Sequence, residues 1–237
     1  MREPIRLCRV GGGTLGDKLR LRFSKVGRVK YISHLDLMRT IHRALLRAGV
    51  VLKYSEGFNP HPYISAALPL SVGYESICEL MDVGISDEMS TDGLPAIITA
   101  ELPEGLEILE AYTPLRKFNE IAWVEISGVF YYDTSIPPDA VRRLSERFSE
   151  GSIVVSKKTK RGLSDVDIAA FIHDVRFFED QEDEKRLTMN VKLSAQNPTI
   201  TPENLVSALD DEYIELAPDF TGFMRIEVFD REMNIFR

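Results

Sequence analysis

The periodicity of apolar residues changes near Ser33, and this change most constrains the fold of the first half of the chain. Before it, Lys18–Lys25 (KLRLRFSK) begins by alternating charged and apolar residues, as a half-buried β-strand does. After it, apolar residues recur at helical spacing as far as Ala48, and Gly49 is suited to end the helix. The sequence therefore predicts a strand with a basic outer face or edge, followed by an amphipathic helix.

The predicted helix begins and ends with local signals. Ser33 and Asp36 fit a capping box in which Asp stands in for the usual Glu or Gln. The helix carries three arginines spaced four residues apart, Arg39, Arg43 and Arg47. Such a stripe of like charges slightly destabilises an isolated helix, so it indicates an anionic partner or carboxylates from elsewhere in the fold. The loop that follows, Ser55–Pro62, contains two prolines and a glycine and is predicted to be stiff.

The remaining patterns predict an α+β protein of two halves. In the first half the further strands and helix are predicted at Ile64–Gly73, Ile77–Ile85, Ser90–Leu102 (the helix) and Leu106–Ala111. In the second half, strands are predicted at Ile121–Tyr132, Ile153–Ser156, Ile168–Phe178, Leu187–Ala195 and Phe223–Phe229, and helices at Pro138–Phe148 and Thr201–Leu209. The order predicts two ferredoxin-like (βαββαβ) subdomains in tandem, the second with an added strand. The expected divisions are a flexible leader at 1–17 and domains at 18–114 and 115–237.

The charge of the chain is distributed very unevenly. The net charge is −8, yet residues 18–63 carry ten basic and two acidic side chains. Residues 64–237 carry 16 basic and 33 acidic side chains. A local basic field attracts polyanions even on an acidic molecule, so this segment is a candidate for contact with phosphate or nucleic acid. A solvated face that keeps the protein soluble is the alternative.

Several classes of site are excluded by residue counts and motifs. Cys8 and Cys78 are too few for a disulfide framework or a cysteine-only metal or iron–sulfur site, and only four histidines are present. There is no phosphate-loop, Gly-x-Ser-x-Gly or HExxH motif. No cofactor and no metal is expected, and no catalytic residue is assigned. No apolar run approaches the roughly 18 residues that span a bilayer, so a cytoplasmic protein without membrane contact is expected.

The candidate RNA- or anion-binding residues belong to the basic strand, the helix and the stiff loop. They are Arg20, Arg22, Lys25, Arg28, His34, Arg39, Arg43, Arg47, Tyr54, Glu56, Phe58, Asn59 and His61. The rings of Tyr54 and Phe58 can stack on bases, and Asn59 can read a base edge. Loop anchoring by Phe58 and turn formation by Asn59 are the structural alternatives. His34 and Asp36 are also compatible with an acid–base pair, although capping already accounts for Asp36.

The stretch from Arg22 to Gly49, RFSKVGRVKYISHLDLMRTIHRALLRAG, closely resembles the radical-SAM-linked protein family of unknown function. The later pieces YSEGFNPHPYIS, ALPLSVG and KKTKRG, with Asp167 and Ile168, resemble it as well. Members are fused to, or encoded beside, a radical SAM protein, and their gene neighbours hint at RNA metabolism. The resemblance therefore implies a radical SAM partner. This chain has no Cys-x3-Cys-x2-Cys motif and so cannot hold the radical SAM cluster by itself.

Three functional hypotheses follow. The leading one is a non-catalytic accessory protein that binds RNA or presents a substrate to a radical SAM enzyme. The second is a metal-independent endoribonuclease like those that process CRISPR repeats, which needs His34 or His61 as a base and Lys25 or Arg28 to stabilise the phosphorane. The third is a protein-interaction module without nucleic acid, in which the basic segment docks an acidic partner.

Overall fold

The structure is a computed structural model that describes residues 17–86, 90–149, 151–159, 162–209 and 213–237. Apart from Asp17, the expected leader lies outside the described residues. The chain divides into two compact units of mixed α and β structure, one reaching Phe118 and also including Arg237, the other running from Asn119 to Phe236. In the described part of the chain, no helix has the length and hydropathy needed to cross a membrane.

The first unit is a four-stranded antiparallel sheet with two helices. Its elements in chain order are β1 (Lys18–Lys25), α1 (His34–Arg47), β2 (Ile64–Ala66), β3 (Glu75–Gly84), α2 (Leu94–Thr99) and β4 (Leu106–Tyr112). A 3-10 turn at Gly27–Tyr31 joins β1 to α1. β1 pairs with β3 on one side and with β4 on the other, and β2 pairs with β3. Within this unit the strands therefore lie in the order β4-β1-β3-β2.

The core of the first unit forms between one face of this sheet and the helices. Leu19, Leu21 and Phe23 alternate along β1 and are all buried, as their spacing predicts. They belong to one apolar cluster with residues of both helices, among them Ile41, Leu45, Leu94 and Ile98. Each fully buried apolar side chain of this size contributes about 1.5–3 kcal/mol relative to its exposed state.

The ends of α1 follow the local signals in the sequence. The Ser33 hydroxyl accepts a hydrogen bond from the Asp36 amide at 3.1 Å and donates one to the Asp36 carboxylate at 2.8 Å. After the last helical residue, Gly49 adopts φ +80°, and its amide donates to the Leu46 carbonyl at 3.1 Å. The left-handed conformation is where glycine is favoured. The predicted start and stop of α1 are therefore confirmed.

The predicted basic outer face or edge of β1 is wrong. β1 lies inside the sheet, and Arg20 is 0% exposed. In the pairing register Asp82 of β3 stands opposite Arg20, and Glu110 of β4 stands opposite Arg22. Cross-strand partners lie within side-chain reach. Carboxylates of two neighbouring strands thus cover the face that the sequence suggested for solvent.

The second unit also contains four sheet strands and two helices, and in addition a two-stranded hairpin. Its elements in chain order are β5 (Trp123–Tyr131), α3 (Ala140–Ser149), β6 (Val154–Thr159), β7 (Gly162–Asp167), β8 (Ile172–Glu179), β9 (Arg186–Ser194), α4 (Pro202–Val206) and β10 (Phe220–Phe229). Antiparallel pairs place the strands of its sheet in the order β10-β5-β9-β8. β6 and β7 pair only with each other in the described part of the chain.

Two details of the predicted element boundaries are corrected. The single added strand of the second half is a pair, β6 and β7, because GLSDVD lacks the apolar alternation that marks a strand in sequence. The strand predicted at Ile64–Gly73 ends at Ala66. Its continuation turns away, and the Gly73 amide donates to the Lys30 carbonyl at 2.9 Å, beside the turn that precedes α1.

We expect the Asp82→Ala variant to lose about 3–5 kcal/mol of unfolding free energy, because it leaves the buried Arg20 guanidinium without its carboxylate. The measurement is urea-induced unfolding followed by circular dichroism. The matched control is Glu101→Ala, which removes a largely exposed ion pair with Arg47 and should cost less than about 1 kcal/mol. Equal losses in both variants would contradict a structural role for the Arg20–Asp82 pair.

Candidate functional site

Most of the positive charge in residues 18–63 is neutralised inside the fold. In the described part of the chain, six of the ten cations make ion pairs, namely Arg20–Asp82, Arg22–Glu110, Lys30–Glu75, Arg39–Asp36, Arg47–Glu101 and Lys53–Asp17. Only Asp36 belongs to the basic segment itself. Carboxylates from outside residues 18–63 therefore pair with five of the ten cations in the described part of the chain, and on the arginine stripe they pair with Arg47.

Arg20 and Arg22 are structural cations. The Arg20 guanidinium donates two hydrogen bonds to Asp82, at 2.6 and 2.9 Å, and one to the Arg116 carbonyl at 2.8 Å. It also lies over the Phe118 ring, 4.2 Å from the centroid. Arg22 donates to Glu110 at 2.8 Å, and this hydrogen bond lowers the pKa of the Glu110 carboxyl. Neither predicted residue presents an uncommitted charge to a polyanion.

Lys25 is also withdrawn from the surface. Its side chain is 1% exposed, and its Nζ donates to the Lys30 carbonyl at 3.0 Å. Burial lowers the pKa of the Lys25 amine, and the nearby Glu79 charge acts in the opposite direction. Lys25 therefore holds the turn that carries Arg28 and does not face solvent. The endoribonuclease hypothesis loses one of its two candidate groups for stabilising a phosphorane.

Three arginines of the segment remain available at the surface. Arg28, on the turn before α1, and Arg43, on α1, are exposed and make no ion pair among the described residues. Arg39 lies one turn before Arg43 and reaches only Asp36, at 3.3 Å, in an exposed pair. Exposed pairs of this kind contribute roughly 0–1 kcal/mol, so Arg39 is easily redirected to a phosphate. The arginine stripe on α1 is thus reduced to Arg39 and Arg43, because Arg47 is bound by Glu101.

The predicted stiff loop is the tip of a short hairpin, residues 53–63. Its two sides are joined by hydrogen bonds from the Ser55 amide to the His61 carbonyl at 2.8 Å and from the Tyr63 amide to the Lys53 carbonyl at 3.0 Å. The His61 amide also donates to the Ser55 hydroxyl, at 3.0 Å. These bonds leave Glu56, Phe58 and Asn59 on the exposed tip. The hairpin combines two prolines with cross-hairpin hydrogen bonds, and both favour the predicted stiffness.

A side-chain contact ties this hairpin to α1. His42 Nε2 and the Tyr54 hydroxyl are 3.1 Å apart, and the two rings meet edge to face with centroids 6.2 Å apart. Because His42 directly precedes Arg43, the contact sets the hairpin beside the arginine stripe. Sequence reasoning missed His42. Its position on the helix, between the buried face and the arginines, was the available signal.

Phe58 is the most unusual residue of the hairpin. Its side chain has 112% of the reference accessible area, so it is fully exposed at the tip. Large aromatic side chains are normally buried or involved in binding. Three further aromatic side chains of residues 18–63 are also exposed, Tyr31, Tyr54 and Tyr63. Tyr63 was not predicted as a site residue. The alternative role for Phe58, anchoring the loop, is not supported, because the ring is not buried.

The geometry does not pair His34 with Asp36. The Asp36 carboxylate accepts hydrogen bonds from Ser33 and Arg39. Among the described residues, no hydrogen bond joins His34 to Asp36, and no group of three or more metal-binding side chains is present. Among the residues that the structure describes, His34 and Asp36 therefore lack the hydrogen bond that an oriented acid–base pair needs.

Residues 18–202 match the model of a protein family described as uncharacterised and conserved in bacteria, DUF2344. The match extends over well more than half of the chain. The chain belongs to the DUF2344 family. The description of DUF2344 names neither an activity nor a radical SAM partner. No curated protein matches the sequence significantly.

Among solved structures, the DUF2344 chain is similar to proteins of H/ACA ribonucleoprotein complexes. It matches a chain of a Cbf5–Nop10–Gar1 complex with 10% identity and a TM-score of 0.48, covering 90% of this chain and 49% of that one. An H/ACA ribonucleoprotein bound to a substrate RNA containing 2′-deoxyuridine gives 11% identity, a TM-score of 0.46, and coverage of 89% and 47%. A chain of an archaeal box H/ACA Nop10–Cbf5 complex matches with 10% identity and a TM-score of 0.44, covering 89% of this chain and 47% of that one. The chain spans about half the length of these proteins.

We expect the stability contributed by Lys25 to depend on pH. Its folded-state pKa is lowered by burial, so between that pKa and the unfolded value of about 10.4 the unfolded chain binds more protons. Stability therefore rises with pH across this window. The Lys25→Met variant removes this dependence. The free energy of unfolding of the wild type, measured relative to that of the variant, should therefore increase as the pH approaches about 10. Urea unfolding of both proteins at several pH values measures the difference, and a constant difference contradicts a Lys25 pKa lowered by burial.

Proposed function

We propose that the first unit binds unpaired RNA and that the chain acts as an accessory protein without catalytic activity of its own. The observation that carries the proposal is the full exposure of Phe58 on a hairpin that is bonded to α1 beside Arg43. An aromatic ring held on a rigid support stacks on a base at little entropic cost. The arginines of α1 supply phosphate contacts next to it.

Unpaired RNA fits this surface better than a duplex does. Bases in a duplex are already stacked on one another, whereas a loop or single strand can place an unstacked base on Phe58. Duplex binding without base contacts relies on many cations along the backbone. In this segment the fold has already bound six of ten cations to its own carboxylates. The remaining charge suits a short contact with a few phosphates.

The polar residues of the hairpin tip give a means of discriminating between bases. Asn59 carries both a donor and an acceptor, and Glu56 carries acceptors that suit exocyclic amino groups. Both lie beside Phe58 and are exposed, as is His61. A base stacked on Phe58 therefore exposes its edge to groups that can read it.

We further propose that the partner is a radical SAM enzyme to which the RNA is presented. Support for this comes from the resemblance of Arg22–Gly49 to radical-SAM-linked proteins. We also propose that the chain consists of two ferredoxin-like units in tandem, at 18–114 and 115–237. The matching strand orders β4-β1-β3-β2 and β10-β5-β9-β8 support that assignment.

A protein partner without RNA is the second candidate. It is favoured by the exposure of Leu35 and Leu46, which lie on the same side of α1 as Arg39. Exposed apolar side chains interspersed with arginine are common in protein interfaces. A protein partner held by this face should remain bound after nuclease treatment.

The test uses fluorescence anisotropy with a labelled unpaired 12-nucleotide RNA and the same sequence as a duplex, at low salt. We expect tighter binding of the unpaired strand and a loss of about tenfold in Phe58→Ala, since stacking on one aromatic ring contributes roughly 1–3 kcal/mol per base. If neither RNA binds, the proposal is wrong. Preferential binding of the duplex contradicts the assigned role of Phe58.

A matched pair of arginine variants tests the charge argument. Arg43→Gln removes a cation without an ion pair among the described residues, whereas Arg47→Gln removes one already bound to Glu101. We expect Arg43→Gln to reduce the slope of log K against log salt by about 0.7, the value for one phosphate of a single strand. Arg47→Gln should change it little. Equal slopes for the two variants would contradict the charge argument, because the ion pair of Arg47 with Glu101 would then make no difference to phosphate binding.

A further inference from the structure

A groove of about 470 Å³ lies in the first unit beside the base of the residue 53–63 hairpin. Its lining includes Lys53 and Tyr63 of the hairpin, Asp82 and Gly84 at the end of β3, and Asp17 and Lys18. Its volume falls within the range of small-molecule sites, about 300–1,000 Å³. The groove is distinct from the tip that carries Phe58, but the same hairpin builds both.

Close backbone packing builds this groove and holds its aromatic wall. The Gly84 amide donates to the Tyr63 carbonyl at 2.7 Å, and the Lys53 amide donates to the Gly84 carbonyl at 2.9 Å. A Cβ on residue 84 would lie 2.9 Å from the Tyr63 Cβ and 3.3 Å from the Lys53 Cβ. Only glycine allows the hairpin to approach β3 this closely. Tyr63 is thus fixed in place while its side chain remains 56% exposed.

The groups around Tyr63 combine an aromatic face, a cation and two carboxylates. Lys18 is exposed and makes no ion pair among the described residues. The Asp17 carboxylate accepts from Lys53 at 2.8 Å, and this hydrogen bond lowers the pKa of Asp17. Asp82 is oriented by its two hydrogen bonds from Arg20. Each carboxylate oxygen keeps a further lone pair for a donor from a ligand.

We propose that this groove binds one ribonucleotide, with the base against the Tyr63 ring, the ribose hydroxyls donating to Asp17 or Asp82, and the phosphate beside Lys18. The proposal rests on the proposed function, because the nucleotide belongs to the RNA strand that the hairpin tip binds. The five residue-to-residue steps from Phe58 to Tyr63 span at most roughly 18 Å. A strand of a few nucleotides can therefore occupy both places at once.

The ribose contact makes this site selective for RNA. The 2′-hydroxyl is the group by which proteins distinguish RNA from DNA, and here it meets carboxylates, which accept hydrogen bonds from it. Stacking on Phe58 is insensitive to the sugar. The groove therefore accounts for RNA preference, and the tip accounts for the preference for unpaired bases.

The experiment compares wild type with Tyr63→Ala, the ring-preserving Tyr63→Phe, and Asp17→Asn. Binding of an unpaired RNA 12-mer and its DNA counterpart is measured by anisotropy. We expect Tyr63→Ala to weaken RNA binding about tenfold and Tyr63→Phe to remain within about twofold of wild type, because stacking needs the ring and not the hydroxyl. Asp17→Asn should reduce the ratio of RNA to DNA affinity. Thermal unfolding confirms that each variant is folded.

A second arm titrates the ¹⁵N-labelled wild-type protein with adenosine 5′-monophosphate. This arm separates a site for a free nucleotide from a site that works only within a strand. Amide shifts at residues 63–65 and 82–84, together with weaker 12-mer binding by Tyr63→Ala, support the groove as a site that also binds the free nucleotide. Weaker 12-mer binding by Tyr63→Ala without these shifts supports a site that works only within a strand. If the 12-mer binds and depends on Phe58 but not on Tyr63, the groove proposal is overturned and the proposed function stands. If neither the 12-mer nor the nucleotide binds, both are overturned.

Discussion

The structure of the first unit depends on the buried pair between Arg20 and Asp82. A guanidinium inside a sheet is costly unless a carboxylate and further acceptors surround it, and here Asp82 and the Arg116 carbonyl fill that role. The pair joins β1 to β3, and Arg22 with Glu110 joins β1 to β4 in the same way. Three of the four cations of β1, Arg20, Arg22 and Lys25, are therefore bound by groups within the first unit. What remains for a ligand comes from Lys18, the turn that carries Arg28, α1 and the hairpin.

These internal ion pairs change the interpretation of the charge pattern. Residues 18–63 have a large excess of positive charge in sequence, but in the described part of the chain four of the ten cations pair with carboxylates of residues 64–237. The buried Lys25 orders the turn that carries Arg28. The His42–Tyr54 contact sets the hairpin beside Arg43. Charge thus builds a rigid support, and a small exposed set of arginines and aromatic rings does the binding that we propose.

Sequence reasoning succeeded where the causes are local. The caps of α1 involve neighbours within four residues, and the apolar alternation of β1 lies within one strand, so both were predictable. It failed where partners are distant. Arg20 and Asp82 are 62 positions apart, and Arg22 and Glu110 are 88 apart. The groove was also unpredictable, because Gly84 and Tyr63 meet only after β3 and the hairpin have come together. The β6–β7 hairpin was missed because its sequence lacks strand periodicity.

The most direct test of the account is ultraviolet crosslinking of an unpaired RNA to the intact chain, followed by mass spectrometry of the crosslinked peptides. The account predicts adducts in the hairpin, at Phe58 or Tyr63, with weaker adducts at Tyr54 next to α1. Crosslinks confined to the second unit, or spread over both units without enrichment in the hairpin, would contradict it.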